Sequence, residues 1–363
     1  MAPVVTALAR YAPEIETLVA LTGQHTTLVD QVLEVFHLEP DYDLDVMQEG
    51  QSVADVVERT LHRLVPVLRE CRPDVVLVEG DTATVFAASL AAYFERVRVG
   101  HVEAGLRTAD KWAPFPEEMF RRLTDVVADF HFAPTRRAAD ALRAEGVPAK
   151  HIYLTGNTVV DALLSVAGRE RHVTDHALRS VLDDEGSRLV LLTAHRRETF
   201  GAPLRQVLGA VRALADRVPD VRIVYPVHPN PNVMEPATEM LSGHPRIHLT
   251  APLDYLDLVT ALEHANLVLT DSGGIQEEAP TFGTPVLVLR EVTERPEAVE
   301  AGVAEVVGTD ARRIVERAVA TLGRPVRGPV ANPFGDGRAG ERIADILAAD
   351  LTGRPRETED WRP

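Results

Sequence analysis

Along almost the whole chain, short apolar segments rich in β-branched residues alternate with longer amphipathic segments. Apolar runs of this length favour buried strands, and the amphipathic segments favour helices that cover a sheet. Strands and helices that alternate in this way form parallel sheets with crossover connections. The pattern therefore predicts an α/β protein. Because it restarts after Gly156, it indicates two successive doubly wound domains.

We place the first domain at residues 1–157 and the second at 158–337, with a helix at about 338–351 packing back on the first domain and a loose polar tail at 352–363. The predicted strands are Glu16–Thr22, Asp74–Glu79, Val97–Val102, Asp129–Ala133, His151–Thr155, Arg188–Thr193, Val221–Val227, Ile247–Thr250, Leu267–Thr270, Pro285–Leu289 and Ala304–Val307. The predicted helices include Pro3–Tyr11, Val53–Arg69, Ala83–Phe94, Glu117–Val127, Arg136–Ala144, Pro203–Arg217, Tyr255–His264 and Ala311–Leu322.

Composition excludes several classes of protein. A net charge of -17 over 363 residues argues against a general binder of nucleic acid or anionic membranes. Cys71 is the only cysteine, so an intramolecular disulfide and a cysteine-rich metal centre are excluded. No apolar run reaches the roughly 18 residues of a spanning helix. These features predict a cytoplasmic protein without a metal.

The strand Leu267–Thr270 runs directly into Asp271–Gly274 and then into a helical segment. Glycine lets the backbone approach a ligand closely, and the free N–H groups of a helix start attract anions. The segment therefore predicts a phosphate site. The alternative is an ordinary strand–helix turn that Asp271 or Ser272 caps. Glu278, further along the helix, is suited to ribose hydroxyls.

Cationic and titratable side chains follow two other strands of the second half. His195, in the segment Thr193–Gly201, is a candidate for binding phosphate or transferring a proton. Arg196 and Arg197 are equally consistent with phosphate binding and with a surface cluster. Arg295 is a candidate ligand of phosphate or uracil, and a surface salt bridge is the alternative.

Three carboxylates hold similar positions in the first half. Asp81 and Glu103 each follow a predicted strand, and Glu117 opens a predicted helix. Each alone is a plausible first-turn acid. The carboxyl ends of parallel strands share one edge of the sheet, so Asp81 and Glu103 are expected to point into one cleft. Clustered carboxylates are able to divide the roles of acid and base among themselves.

The assembled motifs resemble those of the bacterial non-hydrolysing UDP-N-acetylglucosamine 2-epimerases, from Met1 to about Ala348. The matching stretches are Gly-His-Val-Glu-Ala-Gly-Leu-Arg, His-Arg-Arg-Glu-Thr-Phe-Gly, Asp-Ser-Gly-Gly-Ile-Gln-Glu-Glu-Ala-Pro and Thr-Glu-Arg-Pro-Glu-Ala. The resemblance implies a GT-B-type fold, in which two Rossmann-like domains face each other across the ligand cleft. It implies an isomerase of nucleotide-sugar metabolism, serving cell-surface polysaccharide synthesis, that interconverts UDP-GlcNAc and UDP-ManNAc. The implied reaction eliminates UDP to give 2-acetamidoglucal and adds it back, without a cofactor.

The resemblance also assigns residues to the site. Its implied catalytic residues are Asp81, Glu103, Glu117 and His195, and its implied substrate-binding residues are Ser272, Gly273, Gly274, Glu278 and Arg295. A second UDP-GlcNAc, acting as an activator, is implied at Gln24, His25, Arg59 and His228. One further glutamine of the family is Thr27 here. The family also suggests a homodimer.

The sequence departs from the family at its beginning. Family members start with a strand and the segment Gly-Thr-Arg-Pro-Glu-Ala-Ile-Lys-Met-Ala-Pro, of which this chain has only the last three residues. The first N-terminal strand and the Arg/Lys loop that contacts the diphosphate are therefore absent from this sequence, and we expect the natural protein to be longer. Smaller departures are Glu79, Leu253 and Leu258, where the family commonly has His, Gln and Phe.

Alternative functions follow from these departures. The chain is also consistent with a 2-epimerase of another UDP-sugar, such as a diacetamido uronic acid. The missing loop is consistent with a non-catalytic remnant that still binds UDP. A hydrolysing relative and a GT-B glycosyltransferase are more remote alternatives.

Overall fold

A computed structural model describes residues 1–23, 27–48, 50–108, 110–169, 171–324 and 330–362, without the side chains of 27 and 28. The chain forms two compact units, one of Met1–Ala162 with Phe334–Pro363 and the other of Leu163–Pro333. Both are α/β structures with parallel sheets, as the alternating pattern predicted. Within the described ranges, no helix is long and apolar enough to cross a membrane.

The described residues form helices and strands with the following bounds. The helices are α1 (Ala2–Leu8), α2 (Thr27–Phe36), α3 (Val53–Cys71), α4 (Ala83–Phe94), α5 (Glu117–Val127), α6 (Arg136–Ala144), α7 (Thr158–Ala167), α8 (His176–Leu182), α9 (Ala202–Arg217), α10 (Pro231–Leu241), α11 (Tyr255–His264), α12 (Gly273–Glu278), α13 (Pro296–Glu300), α14 (Ala311–Leu322) and α15 (Ala339–Thr352). The strands are β1 (Ala20–Leu21), β2 (Tyr42–Asp43), β3 (Val75–Glu79), β4 (Arg98–Val102), β5 (Phe130–Ala133), β6 (Ile152–Leu154), β7 (Arg188–Thr193), β8 (Val221–Pro226), β9 (Ile247–Thr250), β10 (Leu267–Thr270), β11 (Val286–Val288) and β12 (Ala304–Val306).

The second unit is built on one six-stranded sheet in the order β12-β11-β10-β7-β8-β9, and every neighbouring pair is parallel. Numbered within the unit, this is the order 6-5-4-1-2-3 of the dinucleotide-binding fold. Its core is formed by side chains without exposed surface, such as Leu192, Leu208 and Tyr225. The strand order reverses between β7 and β10, and ligands of such sheets bind at the carboxyl ends of the strands at that reversal.

The first unit contains a four-stranded parallel sheet, β3-β4-β5-β6, and a separate parallel pair, β1-β2. Helices α1 and α15 pack together over the larger sheet, with Val4 and Ile343 fully buried in the same cluster as Phe132. The strands pack tightly at Gly100 in β4, where a Cβ atom would lie 2.5 Å from the Leu77 side chain. A glycine is therefore required two residues before the end of this strand.

The polar tail differs from the sequence-based expectation. We expected it to be loose, but Trp361 is only 5% exposed and its backbone N–H donates to the carbonyl of Leu154 at 2.8 Å. The carboxylate of Asp345 accepts from the backbone N–H groups of Glu357 and Thr358. A buried aromatic ring and a buried carboxylate thus anchor the tail to the first unit.

Candidate functional site

In the first unit, the ends of β3 and β4 bring two candidate acids close together. Glu103 has a φ of +67°, in the left-handed region that few non-glycine residues adopt. A Cβ atom on Gly80 would lie 3.5 Å from Oε2 of Glu103, and the Asn157 side-chain amide donates to Oε1 at 3.2 Å. The carboxylate of Glu103 therefore lies over the loop that carries Asp81.

The third candidate acid comes from α5, which also supplies a cation. Arg121 forms an ion pair with Asp81 and a 3.3 Å bond to the buried Glu118. Glu117 is the first residue of the helix, one turn before Arg121, so both lie on one face. The sequence pattern identifies only carboxylates at this edge of the first unit's sheet. The structure adds the nearly buried guanidinium of Arg121, which holds Asp81 in place.

Behind these acids lies a fully buried histidine, His101 in β4. Its Nδ1 lies 2.6 Å from Oδ1 of Asp125 and its Nε2 lies 2.8 Å from the carbonyl of Gly80. Both partners are acceptors, so both ring nitrogens carry hydrogen and the ring is a cation. Burial opposes this charge, but Asp125 and the carbonyl outweigh it, and the pKa of His101 lies above its ordinary value.

In the second unit, the residues that follow β7 and β10 meet at the reversal of strand order. Oδ2 of Asp271 accepts from the backbone N–H groups of His195 at 2.8 Å and Arg196 at 2.9 Å. The N-cap residue of α12 is Ser272, and no side chain caps this helix. Ser272 thus holds the N-cap position that the alternative interpretation gave to Asp271 or Ser272, but within the described residues no side-chain hydrogen bond caps the start of α12.

Two guanidinium groups converge on the first glycine of α12. A Cβ atom on Gly273 would lie 3.7 Å from Nη2 of Arg196 and 3.8 Å from the guanidinium carbon of Arg295. Arg295 is 9% exposed and is fixed by an ion pair with Glu277. Gly274, the next residue, is exposed. Two cations beside a glycine-lined backbone that has no side-chain cap within the described residues are an arrangement able to hold a phosphate group.

The carboxylate of Glu278 lies at the end of the same short helix. Burial and the neighbouring charge of Glu277 raise the pKa of Glu278 to about 7. Burial, together with the charge of Glu278, also raises the pKa of Tyr255. A carboxyl group that titrates near neutrality is therefore available to polar groups of a ligand.

The candidate activator residues do not form one described cluster. Gln24 and His25 lie outside the described residues. Arg59 of α3 donates to the carbonyl of Val46 at 2.7 Å and to the Gln51 side chain at 2.9 Å. His228 belongs to the second unit, where its ring stacks on His195 with centroids 5.7 Å apart.

Sequence reasoning did not select Arg196, Arg121 or Asp271 as functional side chains. The sequence is equally consistent with phosphate binding by Arg196 and with a surface cluster. The short distance between its guanidinium and Gly273 favours phosphate binding. Arg121 follows Glu117 by four residues, a spacing that places both on one helical face. This spacing is the signal in the sequence that could have identified Arg121. Among the described residues, no group of three or more His, Cys, Asp or Glu is arranged to hold a metal ion.

Two parallel α/β units, one with two guanidinium groups beside a glycine at its reversal of strand order, define a protein of the Rossmann-like class. The family model for UDP-N-acetylglucosamine 2-epimerase matches residues 7–348. The chain belongs to this family.

Individual relatives agree with the family match. The UDP-N-acetylglucosamine 2-epimerase of Bacillus subtilis is 46% identical over 352 residues, which cover 96% of this chain and 91% of the relative. A structure of S. aureus MnaA with UDP has a TM-score of 0.91 at 41% identity and covers 100% of this chain and 96% of that one. The Neisseria meningitidis UDP-GlcNAc 2-epimerase bound to UDP-GlcNAc has a TM-score of 0.87 at 39% identity, covering 96% and 95%.

Proposed function

We propose that this chain is an isomerase that interconverts UDP-GlcNAc and UDP-ManNAc at C2. The observation that carries the proposal is the convergence of Arg196 and Arg295 on Gly273, because two cations beside a glycine support diphosphate binding by the second unit. The family match supports the choice of reaction, and the relatives that hold UDP or UDP-GlcNAc support the choice of ligand. The alternatives of a remnant that only binds UDP and of a glycosyltransferase have no comparable support.

The diphosphate site has a direct role in the proposed chemistry. Elimination of UDP from the sugar leaves negative charge on the departing phosphate. In this proposal the guanidinium groups of Arg196 and Arg295 and the N–H groups of Gly273 and Gly274 stabilise that charge. The same groups hold UDP until it adds back to the glucal intermediate.

The first unit contributes the carboxylates. The C2 hydrogen is weakly acidic, so its removal needs a carboxylate base, and its return on the other face needs an acid. We assign these steps to Asp81, Glu103 and Glu117; the closeness of Glu103 to Gly80 and the ion pair of Asp81 with Arg121 of α5, the helix that Glu117 opens, support the assignment. Asp81 is held by Arg121 and Glu103 by Asn157, so both carboxylates have fixed positions.

Isotope exchange tests the proposal. Protein incubated with UDP-GlcNAc in heavy water is expected to yield UDP-ManNAc and to place deuterium at C2 of both sugars, as followed by NMR. If the protein binds UDP and no deuterium enters C2, the proposed reaction is wrong. Sugar transfer to an added acceptor would instead identify a glycosyltransferase.

A matched pair of variants tests the diphosphate site. Arg196→Gln is expected to weaken UDP binding by about tenfold or more, because a charge-assisted contact is lost. Arg197→Gln changes the next residue, which is exposed, and is expected to bind UDP as the wild type does. Equal affinities of the two variants in calorimetry would contradict the role of Arg196.

We propose further that a second molecule of UDP-GlcNAc activates the reaction, with Arg59 and His228 among the residues involved. Arg59 is one of the residues that the resemblance implies, and its guanidinium donates to the carbonyl of Val46 and to the side chain of Gln51. Sigmoidal dependence of the rate on UDP-GlcNAc, made hyperbolic by Arg59→Gln, would support activation. A hyperbolic curve for the wild type would rule it out.

We also infer that the active form is a cytoplasmic homodimer. Tyr93 and Phe94 at the end of α4 are 60% and 59% exposed, and Val126 of the neighbouring α5 is 80% exposed. Exposed apolar groups of this kind mark association surfaces. Light scattering is expected to give twice the chain mass, and Phe94→Glu is expected to shift the protein toward the monomer. A monomeric wild type would contradict the inference.

A further inference from the structure

The carboxylate of Asp271 uses only one of its two oxygens to support the backbone. It is fully buried at the carboxyl end of β10. Oδ2 accepts from the N–H groups of His195 and Arg196 and, at 3.4 Å, from the hydroxyl of Thr199. Oδ1 is buried and has no hydrogen-bond partner within the described residues. Since buried polar atoms are nearly always paired, an unpaired carboxylate oxygen requires an explanation.

The ring of His195 provides that explanation. Oδ1 of Asp271 lies 3.7 Å from Nδ1 of His195. This is beyond hydrogen-bond length, but catalytic hydrogen bonds are often long without ligand and shorten when the ligand binds. The ring is 40% exposed, and its other nitrogen, Nε2, has no hydrogen-bond partner in the described parts of the chain.

We propose that Asp271 is the positioning residue of His195: its Oδ1 accepts the Nδ1–H of the ring and leaves Nε2 as the nitrogen that meets the substrate. The inference rests on the proposed function and on the catalytic role that the family resemblance implies for His195. Asp271 itself does not touch the substrate. It selects one of the two neutral forms of the ring and fixes the plane in which the ring lies.

The charges around His195 make this selection necessary. Burial lowers the pKa of His195; Asp271 opposes the effect, and His228 and Arg196 add to it. The ring is therefore neutral near pH 7, and a neutral imidazole has one donor and one acceptor nitrogen. Without a fixed partner at Nδ1, both neutral tautomers of the ring would be populated. Only the tautomer with hydrogen on Nδ1 has a lone pair at Nε2.

His228 limits the other freedom of the ring, its orientation. The two rings stack with an interplanar angle of 15°. The backbone N–H of Asn230 donates to Nδ1 of His228 at 3.1 Å, which fixes the stacking ring in turn. A half-turn of the His195 ring would keep the stack but would place a carbon atom at Asp271. The unpaired Oδ1 therefore favours the orientation seen in the structure.

Asp271→Asn is the direct test. The asparagine oxygen is able to accept from the same two backbone N–H groups, so the loop is expected to stay in place. Its amide group would donate toward Nδ1 of His195 and favour the form with hydrogen on Nε2. We expect kcat to fall by about 10²- to 10⁴-fold, as an Asp-to-Asn change beside a catalytic histidine does elsewhere, with KM changed less than about threefold.

Nitrogen-15 NMR of the histidine rings reports the form directly. The wild type is expected to carry the hydrogen of His195 on Nδ1, and Asp271→Asn is expected to move it to Nε2. A purely structural role of Asp271 would change stability without moving this hydrogen. If Asp271→Asn retains both the wild-type kcat and the wild-type form of His195, the proposal is wrong.

Asp345 provides a matched control. It is 1% exposed, and one of its oxygens accepts from two backbone N–H groups, those of Glu357 and Thr358, and from the hydroxyl of Thr358. Within the described parts of the chain, no histidine is bonded to it. Asp345→Asn is expected to keep kcat within about twofold of the wild type. If the wild type itself shows no exchange at C2, the proposed function fails, and NMR of Asp271→Asn still decides whether Asp271 sets the form of His195.

Discussion

Both units place a histidine next to a buried aspartate, His101 beside Asp125 in the first and His195 beside Asp271 in the second. His101 is fully buried, and both of its nitrogens meet acceptors within 2.8 Å. His195 is 40% exposed, and only Nδ1 faces a carboxylate, at 3.7 Å. The pKa of His101 is raised and that of His195 is lowered from the ordinary value.

The contrast between His101 and His195 shows that a histidine–aspartate pair is able to serve different functions. Two acceptors at close range turn His101 into a fixed cation that joins β4 to the Gly80 turn before Asp81. A single acceptor and open space on the other side leave His195 neutral and able to exchange a proton. The number of acceptors, rather than the presence of an aspartate, decides which role the ring takes.

The largest expected effect is on catalysis by His195→Gln. Proton transfer by a positioned side chain contributes about 10²- to 10⁴-fold, so we expect the rate of C2 exchange to fall by about 10³-fold. The melting temperature is expected to change little, because the ring is 40% exposed and lies outside the core. His248→Gln is the control, since burial also lowers the pKa of His248 but no described carboxylate is hydrogen-bonded to it. A His195→Gln variant with more than a tenth of the wild-type rate would contradict the assignment.

The second effect is on stability and comes from His101→Leu. The change leaves the carbonyl of Gly80 unpaired and leaves Asp125 with Arg107 as its cation. We expect the free energy of unfolding at pH 6 to fall by about 3 kcal/mol, as measured with urea. His195→Gln, measured in the same way, is expected to cost much less.

The pH dependence of this second effect has a definite sign. Because the pKa of His101 is raised in the folded state, its stabilisation is fully present below the unfolded pKa of about 6.5 and is lost as the pH rises through the raised value. The stability difference between the wild type and His101→Leu should therefore narrow at alkaline pH. A difference that stays constant from pH 6 to 9 would show that the ring is not a cation.

The bounds of the helices and strands show how much of the fold is predictable from the sequence. The helix Arg136–Ala144 and the strand Leu267–Thr270 were predicted with their observed bounds, because Thr135 caps the helix and the strand is continuously apolar. The predicted strand Glu16–Thr22 is reduced to Ala20–Leu21. A strand exists only where a partner pairs with it, and pairing is not visible in a single segment. Helix α10 is not among the predicted helices, although proline, its first residue, fits the first turn of a helix.

The sequence predicted which residues belong to the candidate site, but it did not predict which partners their side chains contact. Short motifs identified Glu103, His195 and Gly273, since each follows a strand at the ligand edge of a sheet. The motif that contains Gly273 also contains Asp271, for which the sequence suggests only the alternative role of a local cap. Its partners are the backbone of His195 and Arg196, 76 and 75 residues away along the chain. A contact over that distance depends on the pairing of β7 with β10, and no local pattern reveals it.

The smallest expected effect extends the comparison to a carboxyl group of the second unit, Glu278, whose pKa is raised to about 7. Below that pH the group is neutral, and above it the carboxylate is available to ribose hydroxyls. Affinity for uridine, which has no phosphate that titrates in this range, should rise about tenfold from pH 6 to 8. Glu278→Gln should bind uridine weakly at both values, whereas Glu300→Gln, a change at an exposed position on α13, should follow the wild type. If the affinity of the wild type for uridine does not change with pH, Glu278 of the second unit keeps one charge state over this range, as His101 does in the first unit.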